Sequence, residues 1–498
     1  MKKFLLMTLI GLLGWLGIAC EPQDEVPPLP LPEPVLTCED PLIIEDNECV
    51  FPPLSATTQM PELIGAGFDP VDAEHTYDFD VDTAVMYEIN IRQYSEAGTF
   101  KALEADLPRL QDLGVDILWL MPIHPISETL RKGTLGSYYA IQDYRAINPE
   151  FGTMADFEDF LETAHALGFK VILDLVINHT GWDHAWVNDH PEYYTQVGGE
   201  IIHPAGTDWT DVADLNHANE DLVEALAAMT AFWIEKGVDG YRADVAGSVP
   251  RHVWEAVDEA IKAVNPDAFL LAEDNSVFDW FDIFNTNYGG WWLLHEMHQI
   301  ANHGSDESGL VRYLNETHNR YLDGTFPLLF TTNHDVNSWE GTHEERLGNF
   351  TPLMQTLTFT LPGMPLLYSG QEADIETRLA FFEKDLIAWG DYQNTDFLKS
   401  LIALKDENPA LYTTNVFQST YLLEDQDFNV FSFVRTTQDH TNQVLVVANL
   451  TGSEKTVDVH LHAFRGIWNE SQDDHLFPQI ARLDLEPYEV RVFTKDTP

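Results

Sequence analysis

The sequence predicts an α/β protein: a (β/α)8 TIM barrel with a loop-rich insertion after its third strand, followed by a C-terminal antiparallel β-sandwich. Short, nearly continuous apolar runs alternate with amphipathic helical stretches, which is typical of a parallel sheet covered by helices. This alternation lasts for roughly 300 residues, which favours a closed barrel. After about residue 408 only strand patterns remain. An open doubly wound sheet is the alternative, but no Gly-rich phosphate loop follows the first strand.

The N-terminal residues 1–20 are typical of a secretory signal. Two lysines precede an apolar run that is too short, and too soon followed by polar sequence, for a membrane-spanning helix. The ending Gly17-Ile18-Ala19-Cys20 resembles a bacterial lipoprotein site, in which the cysteine takes lipid. The sequence therefore predicts an exported lipoprotein, periplasmic or at the cell surface. Cleavage without lipid, giving a secreted protein, stays open.

Residues 21–80 form a Pro-rich, acidic segment that predicts an extended, stiff spacer. It contains two cysteines, Cys38 and Cys49. In an exported chain they could close a small disulfide loop, and two free thiols are the alternative.

The composition predicts a globular protein that does not bind nucleic acid. Of 498 residues, 44% are hydrophobic, enough for a large buried core. The 26 basic and 82 acidic side chains give a net charge of −56, which repels phosphate backbones and anionic lipid surfaces. Any membrane contact is therefore expected only through the lipid anchor. The charge suits a neutral ligand such as a sugar, or serves solubility alone, and no protein partner is evident.

The barrel is predicted over residues 81–407. Its apolar runs lie at 85–90, 116–123, 169–177, 238–245, 268–274, 326–335 and 365–370. Helices are predicted near 100–113, 154–167 and 220–236. In the last of these, Leu222, Leu226, Met229 and Trp233 share one face, and Asn219 and Gly237 can cap the two ends.

The helix expected after the third strand is delayed by a long segment at about 179–215. It carries Trp182, Trp186, Tyr193, Tyr194 and Trp209. A long loop inside a compact domain is usually functional. Aromatic rings suit the C–H faces of sugars, although each ring taken singly could serve local packing.

Beyond residue 408 the strands alternate apolar and polar residues. Val457, Val459 and Leu461 alternate with Asp458, His460 and His462. We expect residues 408–498 to form a small antiparallel sandwich on the barrel.

Polar side chains recur where the predicted barrel strands end. They are Asp174, Asn178 and His179 in one segment, Arg242 and Asp244 in the next, then Glu273, and finally His334 and Asp335. The carboxyl ends of parallel barrel strands meet at one rim, where active sites lie. Each residue alone could form a structural ion pair, a helix cap or a turn, but their joint placement favours a site.

Two carboxyl groups with different protonation are what glycosidic cleavage needs. One ionised carboxylate attacks or stabilises a carbon with oxocarbenium character, and one protonated carboxyl donates to the leaving oxygen. Their pKa values must be held apart. Arg242 would keep Asp244 ionised, and Glu273, with no cation adjacent in sequence, is the candidate for the protonated partner.

At this point the sequence resembles the α-amylase family, glycoside hydrolase family 13. Its four main segments are matched in order by DLVINH (174–179), GYRADV (240–245), LLAEDN (270–275) and TTNHD (331–335). Further matches are GVDILWLMPI (114–123), SYYAIQDYRAINPEFGT (137–153), VADLN (212–216) and GMPLLYSGQE (363–372). The resemblance spans about Val85 to Glu372.

The resemblance implies a role for each matching residue and retention of configuration through a covalent intermediate. Asp244 would be the nucleophile, Glu273 the acid/base and Asp335 the carboxylate that grips sugar hydroxyls in the transition state. Arg242 would orient Asp244. Substrate would be bound by His179 and His334, with Tyr139 stacking beneath the sugar. The 179–215 insertion would be the family's domain B.

The sequence departs from the family at two places. Gly247-Ser248 stand where many members have Lys-His, and Asp274 follows Glu273 in place of an aromatic residue. Asn178 and Asp214 match calcium positions, and oxygen ligands suit that ion. Their alternative role is to tie domain B to the barrel by hydrogen bonds. No organic cofactor is expected.

The favoured function is endo-type hydrolysis of α-1,4-glucosidic bonds in starch-like α-glucans or maltooligosaccharides, as in an α-amylase. Transglycosylation is the alternative from another reaction class. The same scaffold also serves cyclomaltodextrinases, neopullulanases and α-glucosidases. A non-catalytic starch-binding surface protein is a third hypothesis, which loss of any of the three carboxylates would have favoured.

Overall fold

The computed structural model describes residues 43–45, 48–50, 60–67, 70–275, 278–425, 427–471 and 473–496. The chain divides into two units, Met1–Pro53 and Leu54–Pro498. In the first, strands Ile43–Glu45 and Glu48–Val50 pair antiparallel, with Ile44 opposite Cys49. The predicted signal, Cys20 and Cys38 lie outside the described residues, so the lipid anchor and the disulfide stay predictions.

Eight parallel strands close into a barrel in the second unit, which confirms the predicted fold class. They are β1 (Met86–Ile89), β2 (Ile117–Leu120), β3 (Lys170–Leu175), β4 (Gly240–Ala243), β5 (Phe269–Ala272), β6 (Thr286–Asn287), β7 (Phe326–Leu329) and β8 (Met364–Tyr368). They neighbour one another in chain order, and β8 pairs with β1 to close the ring. Seven of these strands match predicted apolar runs; the polar two-residue β6 does not.

Twelve α-helices lie among the described residues. They are α1 (Ile91–Tyr94), α2 (Phe100–Glu104), α3 (Leu107–Leu113), α4 (Met154–Ala166), α5 (Trp186–Asp189), α6 (Glu220–Glu235), α7 (Arg251–Lys262), α8 (Gly290–His303), α9 (Ser308–Arg320), α10 (His343–Arg346), α11 (Thr351–Thr360) and α12 (Thr395–Glu407). None of them has the length and apolar character needed to cross a membrane.

The caps predicted for α6 are confirmed. The Asn219 side chain accepts a hydrogen bond from the Leu222 N–H at 3.1 Å, and Gly237 ends the helix at φ +101°. The predicted apolar face of α6 is buried. The single helix predicted at 100–113 is instead two, because α3 starts anew with Pro108 in its first turn, where a missing N–H costs nothing.

The insertion between β3 and β4 contains two small antiparallel ribbons. His179–Gly181 pairs with Val212–Asp214, and Gln196–Val197 pairs with Glu200–Ile201. The first ribbon continues directly from β3, so its pairing brings the far end of the insertion back to the barrel rim.

The C-terminal strands form two antiparallel layers, as predicted. They are β9 (Thr420–Leu422), β10 (Val430–Thr436), β11 (Asn442–Asn449), β12 (Lys455–His460), β13 (Gly466–Glu470), β14 (Asp473–Phe477), β15 (Ile480–Leu485) and β16 (Val490–Asp496). One sheet has the order β14-β13-β16-β11-β10-β9, with Glu62–Leu63 as a seventh strand, and β12 pairs with β15 in the other. Val457 and Leu483 of the smaller layer share a core with Val447 of the larger.

The predicted spacer does not extend to residue 80. Glu62–Leu63 pairs with β9, and the Tyr77 and Phe79 rings lie 6.4 and 6.1 Å from the Phe269 ring, at the start of β5. These residues therefore pack within the second unit, because burial of their apolar side chains is favourable.

Candidate active site

Strand register brings the predicted carboxylates together. On β4, Arg242 lies opposite Asp174 of β3 and opposite Leu271 of β5. In the same register, Glu273 after β5 comes level with Asp244 after β4. The two carboxyl groups, 29 positions apart in the chain, therefore meet at the carboxyl ends of neighbouring strands.

A single buried guanidinium holds three carboxyl groups. Arg242 Nη1 lies 2.8 Å from Asp174 Oδ1 and 3.1 Å from Asp244 Oδ1, and its Nη2 lies 2.8 Å from Glu273 Oε1. The Arg242 side chain is fully buried, with its guanidinium carbon 5.1 Å from the centre of the Trp119 ring. Such a planar fork can contact several carboxylates at once.

Glu273 has no cation adjacent to it in sequence, but in the fold Arg242 reaches it from the neighbouring strand. Burial raises the pKa of Asp244 well above its ordinary value, and repulsion from Glu273 raises this pKa further, while Arg242 lowers it. Burial also raises the pKa of Glu273, against the effect of Arg242. Two buried carboxyl groups, Asp174 and Asp244, and the half-buried Glu273 share one cation, which favours retention of a proton by the Asp244–Glu273 pair.

The backbone directly after Asp244 is strained. Val245 adopts φ +38°, in the left-handed region that a β-branched residue rarely enters. The Val245 N–H donates a hydrogen bond to Glu273 Oε2 at 2.8 Å. The residue after Asp244 thus contacts the second carboxyl group through its backbone.

On the opposite side, His334 contacts two acidic residues and Tyr139, whose hydroxyl contacts a third acidic residue. Its Nδ1 bonds to Glu88 Oε1, and its Nε2 lies 3.0 Å from the Tyr139 hydroxyl and 3.4 Å from Asp335 Oδ2. The Tyr139 hydroxyl also donates to Asp174 Oδ2 at 3.1 Å. Glu88 is a residue that the sequence analysis missed. It is the one acidic residue of β1, and that interruption of an apolar strand was a usable signal.

These contacts predict a pH-dependent contribution of His334 to stability. Burial alone would lower the pKa of His334, but the charges of Asp335 and Glu88 raise it to about 9. A raised histidine pKa stabilises the fold below the unfolded value, and this gain is lost as pH rises through the folded value. We expect His334→Asn to lower the free energy of unfolding by about 3 kcal/mol more at about pH 6 than at about pH 10. Urea unfolding of both proteins measures this, and a pH-independent difference would contradict it.

The predicted residues surround one cavity of about 550 Å³. Of the seven predicted catalytic and substrate-binding residues, six line it: Tyr139, His179, Asp244, Glu273, His334 and Asp335. The seventh, Arg242, is fully buried among the three carboxyl groups. A cavity of this size with few convergent polar groups fits a small ligand.

Aromatic and basic residues that the sequence analysis did not single out complete the wall. Phe381 stacks on Tyr139 with the ring centres 6.2 Å apart, and Trp339 donates its indole N–H to Asp335 Oδ1 at 3.2 Å. Phe382 and Lys132 also line the cavity. Trp209 of the insertion, which the sequence analysis did name, faces His179 at 5.6 Å.

Residues 74–200 and 205–288 match the family model "Alpha amylase, catalytic domain". The matched region contains Asp244, Glu273 and strands β1 to β6. In these two stretches the chain is similar to the alpha-amylase catalytic domain.

Known proteins with this domain resemble the chain over most of its length. It is 28% identical to Alpha-amylase 3 of Dictyoglomus thermophilum over 340 residues, 59% of this chain and 64% of that one. It is also 28% identical to Neopullulanase 2 of Thermoactinomyces vulgaris over 431 residues, 79% and 70% of the two chains. An alpha-amylase from Lactobacillus plantarum superposes with a TM-score of 0.74, at 28% identity over 84% of this chain and 99% of that one. The chain thus spans under two thirds of Alpha-amylase 3.

The two residues predicted to bind calcium, Asn178 and Asp214, offer few ligands by themselves. Asn178 Nδ2 contacts His179 Nδ1 at 3.2 Å, and Asp214 lies opposite His179 in the ribbon. Calcium takes six to eight oxygens, whereas the described residues contain no group of three His, Cys, Asp or Glu side chains that could hold a metal ion. Calcium binding by Asn178 and Asp214 would therefore need carbonyl or water oxygens in addition, and it stays a prediction. The Leu215 N–H donates a hydrogen bond to the Asn178 carbonyl at 3.2 Å. This bond supports the alternative role, in which this region ties the insertion to the barrel.

The two departures from the family pattern are adjacent in space. A Cβ atom at Gly247 would lie 2.0 Å from Asp274 Oδ2. Glycine at position 247 thus makes room for the Asp274 carboxylate, the residue directly after Glu273.

Proposed function

We propose that the protein is a retaining glycoside hydrolase that cleaves α-1,4-glucosidic bonds in starch-like glucans or maltooligosaccharides. The observation that carries the proposal is the contact of Asp244 and Glu273 with one guanidinium at the wall of a sugar-sized cavity. The two carboxyl groups lie close together, with Asp244 buried and Glu273 half-buried, and the pair favours holding one proton. Glycosidic cleavage requires such a pair, one carboxyl ionised and the other protonated.

In this proposal Asp244 attacks the anomeric carbon while Glu273 gives its proton to the leaving oxygen. Asp244 forms a covalent glycosyl ester, and Glu273, now ionised, takes a proton from water as the water displaces Asp244. Arg242 stabilises whichever carboxylate is charged at each step, without moving, since it contacts both.

The remaining wall residues would hold the sugar ring. Asp335, with its side chain 35% exposed, can accept hydrogen bonds from sugar hydroxyls. Tyr139 offers a ring face, and the stacking partner Phe381 fixes its plane. Burial lowers the pKa of His179 to about 4, so His179 is a neutral hydrogen-bonding group at neutral pH.

Hydrolysis of maltoheptaose followed by NMR tests the proposal. We expect the newly formed reducing ends to appear first as the α-anomer, because two displacements restore the original configuration. Release of the β-anomer would contradict the retaining mechanism. Products longer than maltoheptaose would indicate transglycosylation, in which a second sugar replaces water. Inactivity on soluble starch and maltoheptaose alike would refute the assignment.

We also propose that the chain is exported and held at a membrane by lipid on Cys20. The support is the sequence of residues 1–20. In cells that express the full chain, Cys20→Ser is expected to move the protein from the membrane fraction to the soluble exported fraction. Unchanged fractionation would rule out the anchor. Calcium binding by Asn178 and Asp214 stays a prediction that chelation and melting experiments can test.

A further inference from the structure

We propose that the enzyme attacks its glucan at the nonreducing end. A loop closes the cavity on the side of the retained sugar, which is the sugar that becomes bonded to Asp244 when the leaving part departs. The proposal rests on the proposed function and specifies its substrate as a chain end. It concerns residues 127–136, between β2 and α4, which we call the strap. Its partner is the segment 380–385 after β8, which we call the β8 loop.

The strap is tied to the insertion at one end of the cavity. Lys132 Nζ donates to the Asp208 carbonyl at 2.8 Å and lies 3.2 Å from Asp211 Oδ1. The Asp183 carboxylate accepts the Glu128 N–H at 2.8 Å. Lys132, Asp208 and Asp211 all line the cavity, so these contacts form part of its wall.

The strap is tied equally closely to the β8 loop. The Leu135 N–H donates to the Phe382 carbonyl at 3.0 Å, and the Thr134 N–H donates to Glu383 Oε1 at 2.8 Å. Gly133 adopts φ +63°, and a Cβ atom there would lie 2.4 Å from Phe382 Cβ. A glycine is therefore required at the closest approach.

Hydrogen bonds within the loop also stabilise the strap. Arg131 folds back on its own loop, donating from Nε to the Ser127 carbonyl at 2.9 Å and from Nη2 to the Ile126 carbonyl at 3.0 Å. Together with the ties at both ends, this makes a continuous wall from the insertion to the β8 loop. Backbone groups fixed by several hydrogen bonds do not move aside without losing them.

The position of Glu273 identifies which side of the cavity this wall closes. Glu273 protonates the leaving oxygen in the proposed mechanism, so the departing part of the glucan lies on the Glu273 side, after β5. The β8 loop and the strap follow β8 and β2, across the barrel from β5. There Phe381 stacks on Tyr139, and Trp339 packs on Phe381 with ring centres 5.4 Å apart.

A glucan that continued beyond the retained sugars would have to pass through these rings and the strap. The wall therefore accepts a chain that ends at its nonreducing glucose, and rejects chain interiors, cyclic glucans and chains with a blocked end. Each cleavage would release a short product of one length. This differs from the endo-type action favoured by the sequence analysis, in which neither the strap nor the β8 loop could be placed.

A capped substrate tests the proposal directly. The rates of p-nitrophenyl maltoheptaoside are compared with a free nonreducing end and with that end blocked by a 4,6-O-ethylidene group. We expect the wild type to cleave the capped compound at least about tenfold more slowly. We expect Phe382→Ala, which opens the wall, to raise the capped-to-free ratio about tenfold. Phe428→Ala, which removes a 74% exposed ring between β9 and β10, is the matched control and should leave the ratio unchanged.

A binding measurement separates this proposal from the proposed function. Free and capped maltotetraose are titrated into Glu273→Gln, with the fluorescence of the cavity residues Trp209 and Trp339 as the signal. We expect the capped sugar to bind at least about tenfold more weakly. Equal binding and equal cleavage of both forms, with mixed product lengths from the first turnovers, would overturn end recognition while leaving the hydrolase intact. Binding and cleavage of neither would overturn both.

Discussion

Replacement of Asp244 by Asn is expected to reduce kcat on starch by at least about a thousandfold. An amide cannot form the glycosyl ester, and the substitution keeps the shape of the side chain. The Asp244 carboxyl lies 3.1 Å from Arg242 and lines the cavity. Release of reducing sugar from soluble starch measures the loss. Activity within tenfold of the wild type would show that Asp244 is not the nucleophile.

The same substitution should not destabilise the fold at neutral pH. Burial raises the pKa of Asp244 in the folded state well above its ordinary value. The Asp244 carboxyl therefore lowers the free energy of unfolding as pH rises above its pKa in the unfolded chain, near 3.8. Asn has no ionisable group and so removes this destabilising effect, while Asp174 and Glu273 still neutralise the charge of Arg242. We therefore expect an equal or higher urea midpoint for Asp244→Asn at about pH 7, a separation of activity from stability that is typical of functional sites.

Substrates with a good leaving group distinguish the roles of the two carboxyl groups. Fluoride departs from α-maltosyl fluoride without being protonated, so Glu273→Gln should still cleave the carbon–fluorine bond of this substrate, whereas Asp244→Asn should not. The structure makes this comparison necessary, since Arg242 contacts both carboxyl groups. If Asp244→Asn cleaved the fluoride and Glu273→Gln did not, Glu273 would be the nucleophile and Asp244 the acid/base.

The sequence predicts the barrel and the site residues well because both depend on local patterns. Apolar runs identified seven of the eight strands, and polar residues at their ends identified five of the residues that line the cavity: His179, Asp244, Glu273, His334 and Asp335. The strand β6 was not predicted because it is only two residues long, Thr286–Asn287, and both side chains are polar. Its backbone is held by its neighbours β5 and β7 rather than by an apolar pattern of its own.

What the sequence could not predict depends on contacts between distant segments. Glu273 has no cation near it in the chain, yet Arg242 lies 2.8 Å away because β4 and β5 are in register. The bond between His334 and Glu88 likewise joins positions 246 residues apart. The wall made by the strap and the β8 loop depends on backbone hydrogen bonds, which leave no mark in composition or periodicity.

Replacement of Arg242 by Met is expected to cost both stability and activity. Among the described residues the guanidinium is the one cation that forms ion pairs with Asp174, Asp244 and Glu273, and its removal leaves these carboxylates without compensation. Breaking a buried ion pair in this way typically costs about 3–5 kcal/mol. Activity should fall by at least about a hundredfold, since charge is no longer stabilised at either step. Arg242→Lys keeps the charge but presents one ammonium group, which cannot contact the three carboxyl groups in the same geometry, so we expect partial recovery of stability and little recovery of kcat.

The pH dependence of this destabilisation identifies its cause. Arg242 lowers the pKa values of Asp174, Asp244 and Glu273 against the effect of burial, so its loss raises all three. A carboxyl group whose folded pKa is raised destabilises the protein increasingly as pH climbs above the unfolded value near 4. The difference in free energy of unfolding between wild type and Arg242→Met should thus be larger at about pH 7.5 than at about pH 4.5, measured by urea titration. Lost packing against the Trp119 ring alone would give the same difference at both pH values, and that outcome would mean that Arg242 acts by filling space rather than by balancing charge.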